Sequence, residues 1–379
     1  MAGFLLARAG VHVKILEKHA DFFRDFRGDT VHPSTMEILD QLGLLDRFLQ
    51  RPHERLNRAT VRIADREWTI GDLSHLRTAA PFMAMMPQWE FLDFLRDEAG
   101  GFPGFALEME AEVASFLGRK GRIAGVRLAD GREIIADLVI AADGRSSLAR
   151  GLLPVATLGA PMDVFWFRID KDSESGEALR ASVAAGRMVV LIDRRTYWQV
   201  AYLVSKGGAD AVKARGVDWI SEEVAAAFPD LALGRLTALD DLHLLTVALD
   251  RLTTWHRPGL LAIGDAAHAM SPIGGIGINL AIQDAVATAN ILAEPLAQGR
   301  NVDGLLAKVE AKRLLPTRLV QSAQKAAQDA IIGRVLGGAP ITDAPWPVKL
   351  LDRFPLLRRI PGRLVGLGVW RERVRSPEA

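Results

Sequence analysis

The chain opens on a helical pattern that stops early. Met1–Ala9 carries Ala, Phe and Leu with no capping residue before it, and Gly10 ends it as a glycine at a helix C-terminus does. Val11–Leu16 then alternates with the two-residue period of a strand and ends at Glu17. Helix, glycine turn, strand and acid make the tail of a βαβ unit. Met36, Leu39, Leu42 and Leu45 give 33–48 an apolar stripe at helical spacing, with Ser34 near its start, and Phe91, Leu92 and Leu95 do the same for 88–99.

The middle of the chain changes period. Segments 112–117, 123–128 and 134–140 read as strands, the last two joined through Asp130-Gly131, which supplies the positive φ of a tight hairpin turn. Segments 164–169, 188–192 and 198–204 are rich in aromatic and β-branched residues and predict a second, mostly antiparallel sheet. Residues 260–263 predict a short buried strand, 279–292 a helix of small residues and 302–330 a largely helical stretch. The end, 345–379, mixes Pro, Arg and large apolar residues and predicts a helix-and-turn appendage.

Composition narrows the classes. A chain of 379 residues suits one large α/β unit or two intimately joined domains, and 49% apolar with 25% charged residues is ordinary for a protein with a sizeable core. Lys and Arg number 47 against 46 acids, so no global charge calls for nucleic acid. The absence of cysteine removes disulfides, thiol nucleophiles, iron–sulfur clusters and thiolate zinc sites. No apolar run reaches the roughly 18 residues of a transmembrane helix, and the expected compartment is the cytoplasm. From Pro345 onward eight basic residues face three acids. A solvated basic arm is expected there, with peripheral contact to an anionic membrane as the alternative.

Three local patterns carry chemistry. Glu17, after a strand, suits a solvated surface acid or a carboxylate that binds ribose hydroxyls in a dinucleotide fold. In Asp137–Arg150 a buried strand runs into Asp143-Gly144; ligands of open α/β sheets lie beyond such strand ends, although Asp143 equally suits a helix cap. In Leu260–Leu280 a buried strand ends at Gly264-Asp265. Pro272, Gly274, Gly275 and Gly277 follow before a helix opens at Asn279. Glycines before a helix N-terminus let backbone approach a ligand and present free N–H groups with the positive end of the dipole. His268, three residues after Asp265, has no third ligand at suitable spacing, so no metal site is expected; no G-x-S-x-G elbow accompanies Ser146 and Ser147.

The last two patterns, in this order and with an aromatic sheet between them, resemble the DG and GD motifs of class A flavoprotein monooxygenases of the para-hydroxybenzoate hydroxylase type. The resemblance runs from about Met1 to Leu336. It implies FAD as cofactor, NADH or NADPH as co-substrate, and transfer of one oxygen of O2, through a flavin C4a-hydroperoxide, to an aromatic or related electron-rich small molecule. Carried over by residue, Glu17 resembles the ribose-binding acid, Arg27 the arginine reaching the FAD phosphates, and Gln88 an FAD contact at a helix start. Asp143 and Gly144 resemble the DG pair shared by FAD and NAD(P)H. Gly264 and Asp265 resemble the GD pair on the ribityl side, and Pro272 the proline lining flavin and substrate. Gly274, Gly277, Ile278 and Asn279 resemble the backbone and side chain at the flavin pyrimidine edge. No catalytic side chain is named. Arg168, Gln199, Tyr202 and Pro272 are the substrate-side candidates, and of the aromatics Phe165, Trp166, Phe167, Trp198 and Tyr202 most are expected in core with two or three lining the pocket.

The implied fold is α/β, an FAD-binding Rossmann-like three-layer domain interleaved with a mostly antiparallel β-sheet substrate domain and C-terminal helices. Residues 1–70, 91–157 and 251–330 are assigned to the first, 71–90 to an excursion, 158–250 to the substrate sheet and 331–379 to a basic helical tail. A monomer or homodimer is expected. The family's first βα unit, with its glycine-rich pyrophosphate loop, is absent, which implies a start about 15 to 20 residues upstream, poor FAD binding and marginal stability. Two alternatives stay open: a non-hydroxylating FAD oxidoreductase of the same fold, and a degenerate, non-catalytic relative. A halogenase would carry a lysine in a W-x-W-x-I-P context, which the sequence lacks.

Overall fold

In the computed structural model, which describes residues 1–23, 30–64, 66–171, 178–338, 341 and 343–379, the strands form two parallel ladders and, separate from them, a large mixed sheet with smaller antiparallel sheets. Val13–Leu16 runs parallel to Phe105–Glu108, and Val139–Ala141 runs parallel to Leu260–Ala262. The helices, in chain order, are α1 (Ala2–Arg8), α2 (Pro33–Gln41), α3 (Leu45–Leu49), α4 (Gln88–Ala99), α5 (Ala209–Lys213), α6 (Gly216–Ala227), α7 (Gly277–Ala297), α8 (Leu306–Ala327), α9 (Gly333–Leu336), α10 (Trp346–Arg353) and α11 (Arg359–Leu367).

Helix α7 is the spine of the parallel side. Its Ile282, Val286 and Ala289 pack with Phe4 and Leu5 of α1, while Ala285 and Leu292 pack with Leu260 and Leu261 of the second ladder. Fully burying each large aliphatic side chain stabilises by about 1.5–3 kcal/mol, so the all-round apolar character of α7 is that of a core helix. The helix with the turn before it is long and apolar enough to cross a bilayer, but 67% of that apolar window is buried inside the protein.

The large sheet has seven strands, in the spatial order His243–Leu245, Met162–Asp170, Tyr197–Ser205, Arg187–Asp193, Leu179–Ala184, Arg58–Ile63 and Arg66–Asp72. All neighbours are antiparallel except Leu179–Ala184 with Arg58–Ile63. Its outer face carries Phe165, Phe167, Ile169, Trp198, Val200 and Tyr202 against Ile220 and Val224 of α6. Its inner face carries Val164, Trp166, Ala201 and Leu203 toward the parallel side.

Several expectations need correction. The stripe over 33–48 breaks at Gly43 into α2 and α3. The strand expected over 134–140 divides: Glu133–Ile135 closes the hairpin with Arg122–Leu128, and Val139–Ala141 joins the second ladder. Arg58–Ile63 and Arg66–Asp72, assigned by sequence to the first segment, pair with the large sheet instead. Their arginines and acids hid the strand period. The tail is not a solvated arm. Arg371 Nη1 binds Glu37 of α2 at 2.7 Å, Lys312 Nζ binds Glu372 at 2.7 Å, and the backbone N–H of Ala379 donates to Arg8 O at 2.9 Å.

Candidate active site

Two acids end neighbouring parallel strands. Asp143 follows Val139–Ala141 and Asp265 follows Leu260–Ala262. The chain reverses at each through a glycine of positive φ, Gly144 at 84° and Gly264 at 59°. Asp143 does not cap the turn after it: Ser147 does, its Oγ accepting from the Ala149 N–H. The Asp143 carboxylate is exposed and has no protein partner among the described residues. Asp265 is half-exposed and, among the described residues, its side chain has only a long 3.4 Å contact from Arg145 Nε, while its backbone is anchored by Arg150, whose guanidinium donates to Asp265 O at 2.9 Å and Ala266 O at 3.1 Å. The Asp143 loop thus holds the Asp265 loop by its carbonyls and leaves the Asp265 side chain with capacity for a ligand.

The turn from Pro272 to Ile276 enters α7. Gly274 and Gly275 have φ of 76° and 61°, and a Cβ on Gly275 would sit 2.3 Å from Thr30 Oγ1. Only glycine fits there. Gly277 has an ordinary φ, and an added Cβ would find contacts no closer than 3.7 Å. Asn279 is buried, and its side chain is fully engaged by protein. Oδ1 accepts from the His32 N–H at 2.9 Å and Thr35 Oγ1 at 2.7 Å, and Nδ2 donates to Thr30 O and Gly275 O at 3.2 Å. It therefore clamps the 30–35 segment to the turn, leaving backbone N–H groups of the first α7 turn for any ligand. His32 Nδ1 bonds Val365 O at 2.8 Å, and its Nε2 is buried with no hydrogen-bond partner.

Glu17 ends the Val13–Leu16 strand, with Oε1 accepting from the His19 N–H at 3.0 Å. Gln88 is half-buried at the first position of α4. Arg27 lies outside the described residues.

Between the turn and the large sheet lies a second constellation. Ile273 packs into the inner-face cluster with Trp166, Val164 and Leu203. Trp166 Nε1 is buried there without an acceptor. Three glutamines on α8 and its continuation follow the turn. Gln321 Nε2 donates to Asp250 O and Ala269 O, and Gln324 Nε2 to Ser271 O and Ile273 O. Gln328, opening a π-helical turn over 328–332, is fully buried with both amide atoms unpaired among the described residues. Isolated π turns inside helices recur at functional sites. Of the sequence candidates, Gln199 shares the inner face but its Oε1 accepts two bonds from Arg194, at 2.8 and 2.9 Å. Arg168, paired in register with Gln199, is solvent-exposed and stacks over Tyr197. Tyr202 is a correction. Strand parity turns it to the outer face beside Trp219, where burial pushes its phenol up to about 12.

Among families of known proteins, the model described as "FAD binding domain" matches residues 1–323. The chain belongs to this family, the class A flavoprotein monooxygenases. It is 30% identical to a 6-methylpretetramide 4-monooxygenase of Streptomyces rimosus, over 98% of this chain and 90% of that protein. Other relatives are longer: the chain spans 63% of a rifampicin monooxygenase of Streptomyces venezuelae, at 30% identity over 80% of this chain. Its fold matches the crystal structure of p-nitrophenol 4-monooxygenase from Pseudomonas putida with a TM-score of 0.76, at 18% identity over 97% of this chain and 92% of that one.

This monooxygenase is FAD-dependent, and the residues present suit the cofactor. Asp143 and Asp265 stand at strand ends with acceptor capacity to spare, glycines open the turn before α7, and the His32 Nε2 is buried with no hydrogen-bond partner among the described residues. Sequence reasoning missed what stands behind the turn. Asp284 of α7 accepts from the Gly264 N–H at 3.1 Å, pairs with His268 Nε2 at 2.6 Å and with Arg313 Nε at 2.9 Å. All three side chains are fully buried. Burial alone would raise the Asp284 carboxyl, but His268 and Arg313 hold it below its ordinary value. His268 is thus an anchor, and among the described residues no group of three His, Asp or Glu is placed to hold a metal. The signal was available in the polar positions of an otherwise apolar helix.

Proposed function

We propose that this monooxygenase hydroxylates an aromatic or related electron-rich small molecule, using NADH or NADPH as reductant and O2 as oxidant. One oxygen enters the ring and the other leaves as water. Bound FAD supplies the activation of O2 once reduced; the protein supplies orientation and exclusion of water. In this reading Glu17 binds the adenosine ribose, Arg27 the phosphates, Gln88 the cofactor at the α4 start, and Asp265 the ribityl hydroxyls. Asp143 and Gly144 serve the edge shared with NAD(P)H. Pro272, Gly274, Gly277 and Ile278 face the pyrimidine end with backbone, while the Asn279 side chain holds the turn in shape.

The observation that carries the reading is the packing of Ile273, from the turn, into the Val164, Ala201 and Leu203 cluster of the inner sheet face, on which Trp166 also packs. Gln328 stands four residues before another member of this cluster, Ile332. Trp166 and Gln328 both carry buried polar atoms without a hydrogen-bond partner among the described residues. Buried polar groups without partners are rare in native proteins and call for an explanation. A substrate hydroxyl or carbonyl accepting from the Trp166 Nε1–H, or pairing with the Gln328 amide, gives one in this reading and orients the ring. Residues 1–70, 91–157 and 251–330 would act as the cofactor-binding part, with Arg58–Asp72 counted to the sheet. The site of action in this reading is the cytoplasm, for a monomer or homodimer.

The test is NAD(P)H oxidation by flavin-loaded protein against a panel of phenols, aromatic acids and polycyclic aromatics, with Asp265→Ala as control. Substrate-stimulated oxidation with hydroxylated product, lost in Asp265→Ala along with flavin retention, is expected. Oxidation yielding hydrogen peroxide alone for every aromatic compound would turn the reading to a non-hydroxylating oxidoreductase.

A further inference from the structure

Helices α10 and α11 offer an apolar face that no other described residue covers. Trp346 is 75% exposed, Leu356 69% and Ile360 65%, and Phe354 and Leu364 stand out beside them. Ile360 and Leu364 are four apart on α11 and share one stripe. Large exposed side chains gathered in this way mark an interaction surface.

Basic side chains adjoin the stripe. Arg359 and Arg363, also four apart, line a cleft of about 440 Å³ with His75, Arg77 and Arg371. Glu37 neutralises Arg371. Arg77, Arg359 and Arg363 have no ion pair or hydrogen bond among the described residues, nor has Arg353 at the end of α10. His75 Nδ1 is buried in the same cleft with no hydrogen-bond partner. Cations converging without a counter-charge repel one another and are relieved by an anion.

The arrangement is fixed by packing. A Cβ on Gly362 would lie 2.0 Å from Asp72 O, so α11 presses its glycine face directly on the Arg66–Asp72 strand. Arg66 and Arg358 both bind Asp352, at 2.6 and 3.0 Å, which ties α10 to the same strand. The inward faces are therefore committed, and the apolar and cationic faces point outward together.

We propose that this face docks on an anionic phospholipid bilayer, with Trp346, Phe354, Leu356 and Ile360 in the headgroup–acyl boundary and lipid phosphates in the arginine cleft. The combination of aromatic and aliphatic insertion with adjoining arginines is what an interfacial helix requires. A free phosphate would satisfy the arginines and leave the stripe bare. A second copy would satisfy the stripe, but a two-fold interface brings the same patch to itself and sets arginine against arginine. The inference stands on this face alone and does not depend on the reaction proposed above.

The test is cosedimentation of the full, flavin-loaded chain with vesicles of phosphatidylcholine, with and without phosphatidylglycerol. Binding to the anionic vesicles, weakened by salt and low on pure phosphatidylcholine, is expected. Each basic side chain at an anionic surface multiplies partitioning about fivefold, so Arg359→Gln with Arg363→Gln should lower it about 25-fold. Leu356→Ser with Ile360→Ser should also weaken it, and neither double variant should change the melting temperature, because the side chains are exposed. Lack of binding to anionic vesicles overturns the proposal, as does equal binding by wild type and both variants. A dimer that dissociates on Ile360→Ser, without vesicle binding, would assign the face to a second copy instead.

Discussion

Arg313 Nε donates to Asp284 Oδ1 at 2.9 Å with both side chains wholly buried. The same carboxylate takes the Gly264 N–H and His268, so one ion pair on two helices sets the backbone from which Asp265 projects. Glu372, 3.5 Å from Arg313 Nη1, extends the pair to the tail.

Removing one partner of a buried pair leaves the other charge uncompensated. Arg313→Met is expected to cost about 3–5 kcal/mol of stability. Flavin affinity should fall with it, because the Gly264 turn loses its anchor. Denaturant unfolding and flavin titration of the variant check both; an unchanged midpoint would show that the pair is not what fixes the turn.

The two glycines of the turn should separate folding from cofactor binding. Gly275→Val puts a branched side chain into Thr30 at a φ it cannot adopt and should fail to fold stably. Gly277→Ala has room in the protein and sits at a helix start, so the apoprotein should melt as wild type or slightly higher. If the flavin ring approaches this backbone, Gly277→Ala should still bind FAD more weakly. Wild-type affinity in that variant would place the ring elsewhere.

His32 provides a pH signature. Burial lowers its imidazole from 6.5 to about 4, against the smaller opposite effect of its bond to Val365 O. The unfolded chain therefore binds the proton first, and stability contributed by neutral His32 is complete above pH 6.5 and lost as the pH falls to about 4. The full loss is on the order of 3 kcal/mol. Unfolding free energies measured across that range should fall less steeply for His32→Asn, which cannot titrate. Parallel slopes in the two proteins would contradict the assignment.

Gln328→Leu is expected to leave the melting temperature unchanged or raised, since an unpaired buried amide is replaced by an apolar group of similar size. Its kcat/KM for the aromatic substrate should fall nonetheless. A variant that is destabilised yet kinetically normal would make Gln328 a structural residue.

The legible parts of the sequence were those where period and punctuation agree. Leu260–Leu280 announces a strand, an acid, a glycine turn and a helix, and the structure has them in that order. Residues 88–99 carry a clean apolar stripe and form α4 without correction. What sequence left open depends on the other side of a contact. The alternation in Tyr197–Ser205 places Trp198, Val200 and Tyr202 on one face, but only the packing of α6 says that this face is away from the turn. Asn279 stands within the motif, yet its four bonds go to residues some 245 positions distant as well as to its own turn, and no local pattern encodes that. The tail read as polar and basic because its partners, Glu37 and Arg313, lie far back in the chain.

The most direct test of the account is single-product analysis under 18O2, with flavin-loaded protein, NAD(P)H and an aromatic substrate that stimulates its oxidation. The account predicts a hydroxylated product carrying one labelled oxygen, formed in step with NAD(P)H consumption. Hydrogen peroxide as the sole oxygen product, or a hydroxyl drawn from water, would contradict it.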